Sequence, residues 1–140
     1  MSRGEYLLIR DIMVTDVKYV SPETPLSTVI NIMIQNKIGS VVVIGDKREV
    51  LGIITERDLI EKVLAKNLDV RTLKAKDIMS KPVIVVSPDT SVSAAANLMK
   101  EKNIGHLPVV ENGRLVGIVA EGDVISLAPE FLELLRIRKR

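Results

Sequence analysis

The sequence predicts an α/β protein made of two copies of one unit, each with the element order strand, helix, strand, strand, helix. The chain repeats itself once, because Asp11-Ile12-Met13 returns 66 residues later as Asp77-Ile78-Met79. Within each copy, short β-branched runs alternate with a stretch in which apolar residues recur at helical spacing. Hydrophobic residues make up 46% of the chain and aromatic residues 2%, so its core must be aliphatic.

Composition excludes several classes of function. A chain of 140 residues is long enough for one core. Its 20 Lys and Arg nearly balance 18 Asp and Glu, which argues against nucleic-acid binding driven by bulk charge. The absence of Cys and the single His argue against disulfides, zinc sites and most catalytic triads. No long apolar stretch is present, so we expect a soluble, cytoplasmic protein with no membrane partner.

The first copy predicts its elements in a clear order. A strand over residues 17–20 leads to Thr24, a candidate N-cap, with Pro25 at the first helical position. An apolar stripe then predicts a helix to about Asn36, ended by Gly39. Strands over 41–44 and 50–54 flank a turn, and a second helix begins at Arg57.

The second copy follows the same order. Its helix stripe runs over residues 92–99, and strands over 107–110 and 115–119 flank an Asn112-Gly113 turn. The charged stretch 66–76 joins the copies. These patterns place the first unit at residues 1–68, the second at 69–128, and a basic C-terminal helix or tail at 129–140.

Two further motifs recur in both copies. Val-Ser-Pro-x-Thr occupies residues 20–24 and 86–90, and a stretch that begins Gly-Ile and ends in Asp occupies 52–58 and 117–123. The ordered set, found twice over about residues 8–128, resembles the tandem cystathionine β-synthase (CBS) domain pair, also called a Bateman module. No single motif is specific, whereas the set occurring twice is.

The resemblance implies a βαββα fold for each unit, with the units packed through their sheets in pseudo-two-fold symmetry. It also implies a homodimer that binds AMP, ADP or ATP in clefts between the units, without a further cofactor or metal. The regulated protein is unknown. An enzyme is not expected, because two aspartates at helix starts, one His and no phosphate-cradling Gly-rich loop do not make an active site.

Asp58 and Asp123 are the central candidate residues. Each lies where a strand gives way to a helix, and a carboxylate there can accept two ribose hydroxyls. Thr55 adds a hydroxyl beside the first. The resemblance implies further contacts with the start of the other unit's first strand and with residues that flank the base. These are Val83 and Ile84 for Asp58, Val17 and Lys18 for Asp123, and Ile53 and Ile118 at the bases.

Several of these residues also have a purely structural interpretation. Thr55 and Asp58 match a capping box, although Ala120 has no hydroxyl to cap the second copy. His106, Arg57 and Lys18 are candidates for phosphate binding, or ordinary solvated side chains. Because Ala120 replaces a Thr and Gly122 replaces Arg57, the sequence predicts weaker ligand binding in the second copy.

The sequence therefore favours a regulatory module that senses an adenine nucleotide. Two alternatives stay open. One is an interaction scaffold that dimerises and no longer uses its clefts, and the other is a sensor of an adenosyl compound such as S-adenosylmethionine.

Overall fold

The computed structural model describes residues 7–136. Every helix among these residues is shorter or more polar than a membrane-spanning helix must be. The fold is mixed α/β, with two small sheets. The first element of the described residues is the short helix α1 (Ile9–Ile12). The first repeat then forms β1 (Tyr19–Val20), α2 (Leu26–Asn36), β2 (Ser40–Ile44), β3 (Val50–Thr55), α3 (Glu56–Asp58) and a π-helix (Leu59–Leu64).

A connecting segment holds a 3-10 turn (Val70–Thr72) and α4 (Ala75–Ile78). The second repeat follows with α5 (Val92–Lys102), β4 (His106–Glu111), β5 (Arg114–Ala120), α6 (Glu121–Leu127), a 3-10 turn (Pro129–Phe131) and α7 (Leu132–Arg136). The predicted C-terminal helix is therefore present up to Arg136. The rest of that prediction, residues 137–140, lies outside the described residues.

The sheets follow the predicted topology in part. In the first repeat the strand order is β1-β2-β3, with β1 parallel and β3 antiparallel to β2. In the second repeat β4 and β5 form a two-stranded sheet. Asn112 and Gly113 both have positive φ in the turn between these strands, as the predicted Asn-Gly hairpin requires.

The first strand expected in the second repeat is absent from the described residues, and that prediction is wrong. Only an isolated parallel bridge joins Val86 to Val109, with the Val86 amide donating to the Pro108 carbonyl at 3.1 Å. Extending this ladder by one step would require residue 108 to donate to the Ile84 carbonyl. Proline has no N–H, so the ladder stops there.

The first repeat contains the parallel strand pair that the second repeat lacks. Val42 stands at the position equivalent to Pro108, and its amide donates to the Lys18 carbonyl at 3.3 Å. That bond lies directly before the residue pairs that define β1. A single proline thus accounts for the difference between the two sheets.

The predicted start of α2 is also wrong. Pro25, not Thr24, is the residue that caps this helix, and its side chain makes no capping hydrogen bond. The Thr24 hydroxyl instead accepts from the Ser21 amide at 3.1 Å. The Val-Ser-Pro-x-Thr motif therefore closes its own turn, which withdraws the hydroxyl from the helix.

The predicted end of α2 at about Asn36 is confirmed, but Gly39 is not the residue that stops the helix. The C-cap is Lys37, which adopts the left-handed conformation with φ of 54°. Asn103 takes the same conformation at the end of α5. The left-handed C-cap thus lies before the Ile-Gly pair in both repeats, at a residue that is not glycine.

Contacts divide the chain into two compact units that do not follow the order of the repeats. The first-repeat unit comprises residues 17–83 and 113–115, and the second-repeat unit comprises the segment up to Asp16, residues 84–112 and the segment from Val116. Each Asp-Ile-Met segment therefore packs in the unit of the other repeat. The boundaries predicted at residues 68 and 128 divide the chain by sequence order. In the structure the two Asp-Ile-Met segments are exchanged, so that each packs in the unit of the other repeat.

Each unit has its own aliphatic core. In the first-repeat unit, α2 and the sheet bury Leu26, Val29 and Val41, and α4 adds Ile78. In the second-repeat unit, α1 contributes Ile9 and Ile12 to the core. The other buried members of this core are Val86, Val92, Ala95, Ala96, Met99, Leu107, Val109, Val119, Val124, Ala128 and Leu135. Burial of aliphatic side chains is what binds each exchanged segment to its unit.

Candidate functional site

Asp58 is one of two buried polar or charged residues among the described residues, and it is 6% exposed. It stands at the end of α3, directly after β3. One of its carboxylate oxygens, Oδ2, accepts from the Thr55 amide at 2.9 Å and from the Thr55 hydroxyl at 3.1 Å. The Asp58 amide in turn donates to the Thr55 hydroxyl at 3.3 Å. The two residues form a reciprocal capping box.

The other oxygen of Asp58, Oδ1, is occupied by two residues that the sequence did not single out. It accepts a hydrogen bond from the Ser80 hydroxyl at 2.7 Å and lies 3.0 Å from the Lys62 ammonium nitrogen. Lys62 also donates to the Ser80 hydroxyl and to the Ile78 carbonyl, both at 3.0 Å. We call Asp58, Thr55, Lys62 and Ser80 the Asp58 network.

Backbone pairing positions Ser80 beside Asp58. Ser80 and Ile53 form an antiparallel bridge, with amide-to-carbonyl distances of 2.8 and 3.1 Å. Met79, next to this bridge, lies against Gly52, and a Cβ atom at Gly52 would come within 2.5 Å of the Met79 sulfur. The glycine therefore lets the exchanged segment approach the strand that ends at Thr55.

The second repeat builds the same backbone frame. Val14 and Ile118 form an antiparallel bridge with amide-to-carbonyl distances of 2.8 and 3.0 Å, in the place of the bridge between Ser80 and Ile53. A Cβ atom at Gly117 would come within 2.7 Å of the Met13 sulfur.

Asp123 has one bond where Asp58 has several partners. Its Oδ2 accepts from the Ala120 amide at 2.8 Å, and no other hydrogen bond or ion pair of this carboxylate occurs within residues 7–136. The residue is half-buried. The two carboxylates are therefore held alike by the backbone but differ in their remaining partners.

The capping hydrogen bond from a backbone amide to an aspartate carboxylate recurs through the described residues. Four aspartates each accept from the amide three residues earlier: Asp11 from Leu8 and Asp77 from Lys74 at 2.8 Å, Asp58 from Thr55, and Asp123 from Ala120. Such a cap uses one carboxylate oxygen, so it is compatible with a ligand on the other. The ligand role of Asp58 and Asp123 stays a prediction.

The three predicted phosphate-binding residues are exposed or half-buried. Arg57 is exposed, and its guanidinium donates to Glu61 at 2.8 Å, an interaction that raises the pKa of Arg57. His106 is half-buried at the start of β4. Lys18 is half-buried beside β1.

The apolar site residues are mostly covered. Val17 and Ile53 are buried, whereas Val83, Ile84 and Ile118 are half-buried. The contacts that the resemblance implies for Asp58 with Val83 and Ile84, and for Asp123 with Val17 and Lys18, stay predictions.

Lys62 and Ser80 are the residues that sequence reasoning missed. The i, i+4 spacing of Asp58 and Lys62 on one helical stretch was a signal that could have found the lysine. Ser80 is 22 residues from Asp58, and no local pattern connects them. Among the described residues, no three His, Asp or Glu side chains are grouped so that they could hold a metal ion.

Comparisons with known proteins agree on one family. The model of the CBS domain matches residues 9–65 and 75–130. An uncharacterized protein of Methanopyrus kandleri is 44% identical over 110 residues, which cover 76% of this chain and 56% of that relative. The structure of a hexameric CBS-CP12 protein from bloom-forming cyanobacteria is similar, with a TM-score of 0.81, 28% identity, and coverage of 91% of this chain and 73% of that one.

The CBS domain pair of protein MJ0100 is also similar in structure. Its TM-score is 0.79 at 29% identity, and the match covers 86% of this chain and 98% of that one. That structure is a complex with 5-methylthioadenosine and S-adenosyl-L-methionine.

Proposed function

Because this chain belongs to the CBS-domain family, we propose that it is a regulatory module that binds an adenosyl ligand, with AMP, ADP or ATP as the expected compounds. The observation that carries the proposal is the paired carboxylate. Asp58 and Asp123 stand at equivalent places after a strand, and each is fixed by a backbone amide at 2.9 or 2.8 Å. A fixed carboxylate is a suitable acceptor for the two hydroxyls of a ribose.

Relatives support an adenosyl compound without selecting one. The complex of MJ0100 contains two adenosyl compounds, which differ in what is attached to the adenosine. Adenosine is the part they share with AMP, ADP and ATP. S-adenosylmethionine therefore stands beside the adenine nucleotides as a candidate ligand, and a cytoplasmic location stays a prediction.

The regulatory role follows from ligand linkage. A bound ligand changes a protein's behaviour only if it binds one arrangement of the chain better than another. We propose that an oligomer of this chain, in contact with a regulated protein, supplies those arrangements. No catalytic step is assigned to the module.

Exposed aliphatic side chains support a homodimer. Ile60 and Leu64 are four residues apart on the π-helix, and they are 58% and 70% exposed. Contiguous apolar side chains in contact with water favour association. We propose that this face of the first-repeat unit packs against a second copy of the chain.

An interaction scaffold is the second candidate function, and the Asp58 network favours it. A carboxylate whose partners are all internal has no need of a ligand. Under this alternative the repeats serve dimerisation, and adenosyl compounds have no effect.

Thermal unfolding in the presence of ligands separates the two candidates. The protein is melted alone and with AMP, ADP, ATP, S-adenosylmethionine or 5′-methylthioadenosine, and GMP serves as the control. A ligand present at about 100 times its Kd stabilises the folded state by about 2.7 kcal/mol, which raises the Tm by several degrees. The regulatory module predicts a rise with at least one adenosyl compound and none with GMP. Unchanged melting with all five compounds contradicts it and supports the scaffold.

A further inference from the structure

The two candidate carboxylates differ in how many acceptor positions remain for a ligand. An ionised carboxylate offers about four lone-pair positions, two on each oxygen. At Asp58, Oδ2 receives the amide and hydroxyl of Thr55, and Oδ1 receives Ser80 and Lys62. Every position is therefore filled from within the first-repeat unit.

The partners of Asp58 are saturated as well. The Lys62 ammonium has three N–H donors, and it lies 3.0 Å from each of three acceptors, on Asp58, Ser80 and Ile78. The Ser80 hydroxyl donates to Asp58 and accepts from Lys62. A ribose that approached Asp58 would have to replace bonds that already exist. Displacing either partner would break an ion pair or a hydrogen bond of the buried Asp58 carboxylate, which is unfavourable.

The second repeat replaces both partners with aliphatic residues. Ser80 corresponds to Val14, because each forms the antiparallel bridge to the isoleucine after the strand glycine. Lys62 corresponds to Leu127, since each stands four residues after the aspartate. Val14 is 43% exposed and Leu127 is 41% exposed. Neither side chain can donate a hydrogen bond to a carboxylate.

The surroundings of Asp123 leave room beside it. Gly122 replaces Arg57 of the first repeat, and a Cβ atom at Gly122 would meet nothing within 4 Å. Exposed Val14 and Leu127 add apolar surface of the kind that covers the face of a base. Asp123 thus combines a free carboxylate oxygen, within the part of the chain that the structure describes, with open space at Gly122 and with aliphatic residues at the two positions that Ser80 and Lys62 occupy in the first repeat.

We propose that Lys62 and Ser80 are specificity-determining residues that close the first repeat, so that the adenosyl ligand of this chain binds at Asp123. This inference rests on the proposed function and deepens it. It reverses the order of affinities expected from the sequence, where the hydroxyl of Thr55 and the charge of Arg57 favoured the first repeat. In the structure that hydroxyl donates to Asp58, and the guanidinium of Arg57 donates to Glu61.

Calorimetric titration with AMP, and separately with S-adenosylmethionine, tests the proposal on the full chain. The unsubstituted protein is expected to bind one of these probes once per chain. Asp123→Asn is expected to weaken that binding by about ten- to a hundred-fold, the range for one charge-assisted hydrogen bond. Asp11→Asn is the matched control, because Asp11 accepts the same capping bond at 2.8 Å from Leu8. It is expected to leave binding unchanged.

An exchange of residues between the repeats is the decisive test. The double variant Lys62→Leu/Ser80→Val gives the first repeat the residues of the second, and it is expected to add a second binding event per chain. The reciprocal variant Val14→Ser/Leu127→Lys is expected to weaken the original event by at least about ten-fold. Thermal unfolding of each variant without a probe confirms that it is folded.

Three results would overturn the proposal. Binding that is unaffected by Asp123→Asn would place the ligand elsewhere. Binding abolished by Lys62→Leu/Ser80→Val in a folded variant would make those residues part of the ligand site, and the proposed function would still stand. No binding of either probe by the unsubstituted protein or by any variant would instead remove the proposed function, and the inference with it.

Discussion

Gly52 and Gly117 show how a single missing side chain determines which segments pack together. Each lies in a strand and against a methionine of an Asp-Ile-Met segment, Met79 and Met13 respectively. Any larger residue at either position would separate that segment from the strand. The glycines are therefore needed for close approach and not for an unusual backbone conformation.

Substitution of Gly52 tests this packing. Gly52→Ala places a Cβ atom 2.5 Å from the Met79 sulfur and 2.9 Å from the Met79 Cβ, so the segment must move. We expect a loss of about 1–3 kcal/mol in the free energy of unfolding, the usual range for overpacking. Urea unfolding measures it. Gly122→Ala is the control, because a Cβ atom there meets nothing within 4 Å. Equal stability of Gly52→Ala and the unsubstituted protein would contradict the account.

Asp58 and Asp123 show, also at the scale of residues, that equivalent positions can have different partners. Asp58 and Asp123 occupy equivalent positions and share the backbone cap, so the sequence predicts equivalent roles. The structure separates them through Ser80, which reaches Asp58 from 22 residues away. Local pattern identifies the carboxylates, whereas their availability depends on a tertiary contact.

At the scale of elements, the end of α2 is a strained position. Lys37 adopts φ of 54°, a conformation that glycine tolerates and that a residue with a Cβ atom disfavours. Lys37→Gly should therefore stabilise the protein by about 0.5–1 kcal/mol. Chemical denaturation of the two proteins gives the difference. Lys102→Gly is the control, because Lys102 is the last residue of helix α5 and has no left-handed conformation that glycine would relieve. A loss of stability in Lys37→Gly would refute the argument.

A cluster of charges links the turn before α2 to α4. Glu23 accepts from Lys74 at 2.8 Å and from Lys76 at 2.7 Å. These hydrogen bonds lower the pKa of Glu23 from 4.5 to about 2. The ionised carboxylate is thus favoured in the folded state. Its contribution to stability is present above pH 4.5 and is lost as the pH falls toward 2.

The pH dependence of unfolding tests how much Glu23 and its two lysine partners contribute to stability. Between pH 4.5 and 2, the unsubstituted protein should lose stability more steeply than Glu23→Gln. The urea midpoint, measured at intervals across that range, reports the difference. All three side chains are exposed, so 1 M salt should reduce the effect. Parallel pH profiles for the two proteins would show that the cluster does not contribute.

The elements differ in how well the sequence predicts them. Both long helices and the Asn112-Gly113 hairpin follow from local spacing, and the structure contains them. The first strand of the second repeat could not be judged from its own residues. Its absence depends on Pro108 in the neighbouring strand, which cannot donate to the Ile84 carbonyl. Thr24 likewise satisfies a cap pattern but forms a competing turn.

On the scale of the whole molecule, each repeat contributes its Asp-Ile-Met segment to the unit of the other repeat. The first-repeat unit contains Ile78 and Met79 of the second Asp-Ile-Met motif, and the second-repeat unit contains Ile12 and Met13 of the first. Removing either segment would take buried aliphatic residues from the core of the other repeat. The two repeats therefore depend on each other for a complete core.

The proposed homodimer uses the face that carries Ile60 and Leu64. Ile60→Lys/Leu64→Lys introduces two positive charges at positions whose side chains are 58% and 70% exposed in the single chain. The variant should therefore keep the fold of the chain. We expect sedimentation to show a dimer for the unsubstituted protein and a 15.4 kDa monomer for the variant. Leu51→Lys, at a side chain 37% exposed on β3, is the control. A dimer that survives the double substitution would place the interface elsewhere.

Native mass spectrometry of the purified protein with adenosyl compounds tests the central claim most directly. The spectrum is recorded with AMP, ADP, ATP and S-adenosylmethionine in turn, and with GMP as the control. We expect one added molecule of at least one adenosyl compound for each 15.4 kDa chain, whether the chain is detected as a monomer or a dimer, and no added GMP. Spectra that contain only the bare chain with every adenosyl compound, or equal addition of GMP, would contradict it.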